Sequence, residues 1–325
     1  MASSLKRLAY AALFAALAAS TAGAAEFNLK ASHSAAPTEP YQIGLQYFAD
    51  KVKERSNGRV EVTIYPNNQL GNEKDVLEGL LLGTVDVAVA ANGVLGNFVP
   101  SVGIFDLPFL FKDRPHLYAV MDGPVGEKLE ADMAKRGYRL LAYYEAGIRH
   151  ILTKKPVESM TDLKGLKIRT MQVPAHISAF KQFGANPTPM AYGELFGAIQ
   201  SGVVDGAEAA NSNYFAQKFF EIAPFYAQVS WTALVAELLI SEKRLASFPP
   251  DIQKIILETA AESAAVERKA YEAADNRLLD ELKKKGVTVT YPDVKPFREA
   301  AKAVYAEYVK TPEQKALLEQ ILSTQ

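Results

Sequence analysis

The chain has 325 residues, of which 49% are hydrophobic and 22% charged, and its formal net charge is −1. That is an ordinary globular composition, long enough for two domains of roughly 150 residues each, and it lacks the basic excess a nucleic-acid partner would require. No cysteine is present, which excludes disulfides, thiolate metal sites, a Cys nucleophile and a lipid-modified N-terminal Cys.

Residues 1–25 read as a signal peptide. Lys6 and Arg7 form a positive n-region, Leu8 to Ala19 an apolar h-region, and Ala22-Gly23-Ala24 a small-x-small cleavage site. The apolar run is too short to span a bilayer, which takes about 20 residues. Cleavage near Ala24 or Ala25 would remove Lys6 and Arg7 and take the formal charge from −1 to −3. The expected product is an exported, periplasmic protein.

Phe27 to Ala31 alternates apolar and polar and predicts a first strand, followed by a small polar loop from Ser32 to Thr38. Apolar positions 41, 45, 48 and 52 predict a helix over Tyr41–Arg55, stopped at Asn57-Gly58. Val60 to Tyr65 alternates strictly and predicts a second strand. This βαβ opening points to a parallel or mixed sheet covered by helices. A helix over Gly71–Leu82 then leads into Gly83-Thr84-Val85-Asp86-Val87-Ala88-Val89-Ala90-Ala91-Asn92.

That phrase returns as Gly202-Val203-Val204-Asp205-Gly206-Ala207-Glu208-Ala209-Ala210-Asn211, identical at seven of ten positions and again after a helix. Alanine-rich sequence inflates such matches, but the shared helix-Gly-strand setting favours a structural echo. Two similar α/β lobes would each send a strand end, near an Asn, toward a common crevice, where ligands of open α/β sheets bind. Between the copies, the Phe- and Pro-rich run Phe105 to Phe111 reads as a buried crossing. One helix is expected over Pro115–Arg136, then strands over Arg139–Glu145 and Ala146–Thr153. After the second copy come a helix over Tyr214–Ile222, strands over Ala227–Thr232 and Leu234–Ser241, and one long helix from Pro250 to about Lys285 able to brace two lobes. A last strand over Val287–Thr290 and closing helices follow.

The motifs of serine hydrolases, zinc proteases, P-loops and dinucleotide folds are all missing, and none of the four histidines has a partner at metal-ligand spacing. No cofactor is expected. What remains is Arg169, which ends the apolar run Leu166–Ile168 in Asp162-Leu163-Lys164-Gly165-Leu166-Lys167-Ile168-Arg169-Thr170, and Arg149, which follows Gly147-Ile148. A guanidinium offers a planar fork that matches a carboxylate, whereas a lone surface arginine more often makes only a solvated ion pair.

Five phrases carry a family resemblance: GRVEVTIYPNNQLG, FDLPFLFKD, DLKGLKIRT, GANPTPMAYGELFGAIQSGVVDGAE and AQKFFE. In this order and spacing, over essentially all of the chain after residue 25, the sequence resembles the periplasmic solute-binding subunits of tripartite ATP-independent periplasmic (TRAP) transporters, the DctP-like family. The resemblance implies two lobes, residues 26–146 with 235–274 and 147–234 with 275–325, each a mixed sheet flanked by helices, with a long helix across both. It implies closure on an organic anion and delivery of that ligand to integral membrane permease subunits, by a monomer that is not an enzyme.

By position in those phrases, Arg169 matches the family's signature arginine and Arg149 a second carboxylate contact, while Tyr192 lines the pocket. Glu73, Ser34, Asn92 and Gln172 are polar contacts, and Trp231 sits on the cleft side of a hinge strand. Where many relatives carry an Asn after the VDG-x-E motif, this chain has Ala209; Asn211 or Asn213 would have to substitute. Trp231 and the apolar Ala90, Ala91 and Val94 suggest a ligand smaller than sialic acid, such as a short hydroxy acid or sugar acid. A C4-dicarboxylate, a 2-oxo acid, or a sensor role toward a receptor kinase are the alternatives, with a secreted hydrolase more remote.

Overall fold

The computed structural model describes residues 25–325; residues 1–24, which hold nearly all of the expected signal peptide and its cleavage motif, lie outside the described residues. Nine strands form one mixed sheet: β1 (Phe27–Ser32), β2 (Val60–Tyr65), β3 (Val87–Ala91), β4 (Tyr138–Thr153), β5 (Lys167–Thr170), β6 (Asn186–Pro189), β7 (Gly206–Ala209), β8 (Phe225–Ser241) and β9 (Thr288–Thr290). Their order is β2-β1-β3-β8-β4-β7-β5-β6, with β9 beside β8. The helices are α1 (Pro40–Arg55), α2 (Glu73–Leu82), α3 (Asn92–Leu95), α4 (Arg114–Met121), α5 (Pro124–Lys135), α6 (Pro174–Gln182), α7 (Leu195–Ser201), α8 (Asn211–Ala216), α9 (Glu242–Ala246), α10 (Pro250–Lys284), α11 (Lys295–Tyr308) and α12 (Pro312–Ser323). Among the described residues no helix is long and apolar enough to cross a membrane.

The sheet has two ends built alike. At the first, β2, β1 and β3 run parallel and β3 pairs antiparallel with β8. At the second, β6, β5 and β7 run parallel and β7 pairs antiparallel with β4. The repeated phrase is where the two coincide. Gly83 (φ 77°) and Gly202 (φ 79°) both end a helix in the left-handed region that suits a residue without Cβ. Three residues on, the Asp86 carboxylate accepts the Lys30 N–H on β1 at 2.8 Å, and the Asp205 carboxylate accepts the Lys167 N–H on β5 at 2.8 Å. Each strand then passes straight into a short helix that starts on Asn92 or Asn211.

The chain passes between the ends along β4, β8 and the 35-residue α10. Each of the four stretches expected as separate strands is half of a long one. Their pairing slips in register between Glu145 and Ile148 and again between Arg149 and Ile151. Gly147 (φ 84°) sits in the first irregularity, where a Cβ would come within 2.5 Å of the Ala210 Cβ. Ser230 (φ 49°) sits in β8 beside the second.

Two expected helices are shorter or broken. Asp122-Gly123 separates α4 from α5, because Pro124 cannot continue the ladder and instead opens the next helix. Lys218 (φ 54°) ends the helix expected to run to Ile222, leaving α8 and a single 3-10 turn at Phe219–Glu221. The 105–111 run is buried as expected, but as the end of a 3-10 turn (Pro100–Asp106) and a loop.

Candidate functional site

A cleft of about 640 Å³, counting its open mouth, lies between the two ends of the sheet. The second end contributes Arg149, Arg169, Gln172, Tyr192 and Asn213, and the first end contributes Ser34, Asn68, Asn72, Glu73 and Lys74; Tyr271 of α10 lines it too. Ser34, Glu73, Arg149, Arg169, Gln172 and Tyr192 are thus brought together from the residues singled out in the sequence.

Arg169 is the last but one residue of β5 and is 2% exposed. Its Nε and one Nη2 proton go to the Met190 carbonyl at 3.1 and 2.8 Å, and one Nη1 proton goes to Glu208 Oε1 at 3.2 Å. A guanidinium has five N–H donors. One proton on each terminal nitrogen is therefore without a partner among the described residues, and each can donate a charge-assisted hydrogen bond to a carboxylate.

Arg149 is more fully engaged. Nε meets Glu208 Oε2 at 2.7 Å, Nη1 meets Asn213 Oδ1 at 2.6 Å and Ala146 O at 3.2 Å, and Nη2 meets Glu208 O at 3.3 Å. Only one donor is left. Glu208, wholly buried on β7, joins the two guanidinia with one oxygen to each.

Charge is distributed unevenly over this trio. Burial lowers the Arg149 pKa, but the charge and hydrogen bond of Glu208 outweigh it and the net shift is upward. Arg169 ends below its ordinary value, because burial dominates and Glu208 only partly offsets it, with Arg149 adding repulsion. A buried cation with incomplete compensation and an open fork favours an added anion. Across the cleft, Glu73 accepts from Ser34 Oγ at 2.7 Å and from the Ala91 N–H at 3.4 Å. Burial pushes its carboxyl above the usual range, against the pull of those bonds and the arginines.

Three residues expected at the ligand stand elsewhere. Trp231 is completely buried, its ring edge-on to His176 at 4.7 Å and to Phe180 at 5.1 Å. It follows left-handed Ser230 in the bulged part of β8 and points under α6, away from the cleft, so it does not narrow the pocket. Asn92 donates to Val102 O (3.0 Å) and Asp106 Oδ2 (2.9 Å), and Asn211 donates to Asp275 O (3.2 Å). Both begin helices and tie them to neighbouring segments. Asn213, two residues further on, reaches the cleft and holds Arg149, in the region where Ala209 has no side chain to offer. Glu208 and Glu39, which bonds Asn213, were not singled out in the sequence. For Glu208 the signal was an acid inside a strand of alanines; for Glu39 there was none.

The comparisons with known proteins place the family and the fold. The family model described as bacterial extracellular solute-binding protein, family 7 (DctP) matches residues 31–311. The 2,3-diketo-L-gulonate-binding periplasmic protein YiaO of Escherichia coli is 32% identical over 299 residues, covering 91% of each chain. A TRAP periplasmic solute-binding protein from Xanthobacter autotrophicus, solved with bound β-D-galacturonate, superposes with a TM-score of 0.89 at 33% identity, over 91% of this chain and all of that one. One from Polaromonas, bound to D-erythronate, gives a TM-score of 0.89 at 32% identity, over 92% and 99%. The chain belongs to the DctP family of TRAP periplasmic solute-binding proteins, which bind ligands and do not transform them.

Proposed function

We propose that the protein captures a small hydroxylated organic acid, of the aldonate or uronate kind, by docking its carboxylate on Arg169, and hands it to TRAP permease subunits in the membrane. The observation that carries this reading is the unused fork of Arg169, one N–H on each terminal nitrogen, on a buried side chain that lines the cleft. Arg149 adds its one remaining donor and otherwise holds Glu208 and Asn213 in place. The carboxylate, Ser34 and amide groups of the first end offer acceptors and donors suited to hydroxyls. The three relatives above are described with hydroxylated or keto sugar acids, each with a single carboxylate, which supports the same class here.

In this reading residues 26–146 with 235–274 form one lobe and 147–234 with 275–325 the other. The chain is exported with loss of residues 1–25 and acts as a monomer. Affinity near micromolar corresponds to about −8 kcal/mol, within reach of a charged bidentate clamp of about 1.5–3 kcal/mol per bond plus desolvation. The test is a thermal-shift and calorimetry series with D-galacturonate, D-glucuronate, D-erythronate and succinate beside neutral galactose and erythritol. Stabilisation by acids alone is expected. Equal stabilisation by the neutral compounds would sink the carboxylate clamp, and succinate as the tightest ligand would shift the class to dicarboxylates.

A further inference from the structure

Glu39 stands at the end of the loop that also carries Ser34, immediately before α1 at the first end of the sheet. Its carboxylate is 1% exposed. One oxygen is pinned by its own loop, accepting the Ala36 N–H at 2.8 Å. Everything else it touches belongs to the second end: the Gln217 amide at 3.3 Å, the Tyr192 hydroxyl at 3.5 Å, and the Asn213 amide on the other oxygen. All four partners donate, so the group acts as an acceptor toward each.

Asn213 faces two ways. Its nitrogen donates to Glu39, and its oxygen accepts from Arg149 Nη1 at 2.6 Å and from the Ala210 N–H at 3.2 Å. The amide orientation is thereby set, since reversing it would put donor against donor on the Arg149 side. A continuous chain of polar contacts runs from Glu39 through Asn213, Arg149 and Glu208 to Arg169. Glu39 itself is not among the residues that line the cleft.

We propose that Glu39 is an interlobe latch and positioning residue, a carboxylate on one wall that grips Asn213, Gln217 and Tyr192 of the other and so couples closure of the cleft to the orientation of its arginines. The inference rests on the reading that the cleft closes over an acid held by Arg169. Its physical content is differential contact. These three bonds exist only when the walls meet, so they bias the open–closed equilibrium even before ligand enters, and the same contacts slow ligand escape afterwards.

The experiment uses the full-length mature protein. Because the chain has no cysteine, Glu78→Cys on α2 and Gln200→Cys on α7, both exposed, give a clean spin-label pair across the two ends. Distance distributions are measured without ligand and with saturating D-galacturonate or D-erythronate, whichever the wild type binds more tightly. Glu39→Ala is expected to move the ligand-free distribution away from the closed distance, to raise the ligand dissociation rate at least 10-fold, and to leave the association rate within 3-fold. Gln217→Ala, which loses one bond and leaves Asn213 alone, should give a partial shift in the same direction. An unchanged ligand-free distribution in Glu39→Ala, with circular dichroism showing it folded, overturns the latch. If the wild type binds none of the acids, the carboxylate reading fails, yet the ligand-free comparison still decides for or against the latch.

Discussion

The two ends of the sheet share one frame and differ in what they place on it. Aligning them by the Asp86–Lys30 and Asp205–Lys167 contacts sets Ser32 against Arg169, Val89 against Glu208, and Val94 against Asn213. At these positions the first end is apolar or weakly polar where the second carries a buried arginine, glutamate and asparagine. The crossing strands differ as well, with Glu237 opposite Ala90 and His150 opposite Ala209 at matching places. Both arginines of the cleft therefore sit on one wall, and under the proposed function the other wall meets the remainder of the ligand with Ser34, Glu73 and two asparagines.

The sharpest way to break this comparison is to exchange the matched positions. Arg169→Ala is expected to weaken acid binding by roughly 100-fold or more, since two charged hydrogen bonds of about 1.5–3 kcal/mol each are lost, while Ser32→Ala stays within about 2-fold. Calorimetry on the two variants checks both. Comparable losses would mean that the walls share the anchoring.

A second test lies where the ends meet in the interior. Asp106 of the first end and His176 of the second stand 3.8 Å apart and buried. Burial pushes the Asp106 carboxyl up from 3.8 to about 7 and the His176 imidazole down from 6.5 to about 4. A raised acid holds a proton in the folded chain that the unfolded chain lacks, so Asp106 makes stability fall as pH rises from about 4 to 7. A lowered base does the reverse, so His176 makes stability rise with pH between about 4 and 6.5. The two slopes, each up to ~1.4 kcal/mol per pH unit, oppose one another in the shared window. Asp106→Asn should unmask the rising slope and His176→Gln the falling one, read by urea unfolding at pH 4.5 and 6. Parallel profiles in both variants would show that the pair does not titrate as the geometry implies.

Smaller effects sharpen the comparison further. Asp86→Asn and Asp205→Asn should each cost about 1 kcal/mol through the weakened bond to a strand N–H. The first should cost more, because Asp86 also holds Arg244 at 2.6 Å. Only Asp205→Asn should also reduce acid affinity, since β5 carries Arg169. Smallest of all, Trp231→Phe should leave affinity unchanged within error while lowering the melting temperature by a few degrees, as a core truncation does. A changed affinity would return the indole to the cleft.

Much of this was legible in the residues. Strict alternation marked β1 and β2, helical spacing marked α1 and α10, and the repeated Gly–Asp phrase anticipated a frame used twice. Arg169 stood out because it ends an apolar run, and position within the phrases brought Tyr192, Glu73 and Ser34 to the same cleft. What escaped depended on single backbone angles or on distant partners. Left-handed Ser230 turns Trp231 inward, and left-handed Lys218 ends α8 early. Asn92 and Asn211 were read as strand ends, but each begins a helix and its amide nitrogen is held by a neighbouring segment, Val102 and Asp106 for one and Asp275 for the other. Glu39 and Asn213 meet across 174 residues of chain, a distance over which local periodicity carries no information.

The irregularities in the crossing strands have a kinematic consequence. Arg149 pairs with Thr232 between two of the three register shifts of β4 against β8, near Gly147, whose close fit against Ala210 and Tyr271 allows no side chain. In any rotation about that joint a group moves in proportion to its radius from the axis. Arg149 stands at that joint, while Ser34 and Glu73 belong to the opposite end. Under the proposed docking on Arg169, which Glu208 ties to Arg149, a carboxylate is then seated before the far wall arrives.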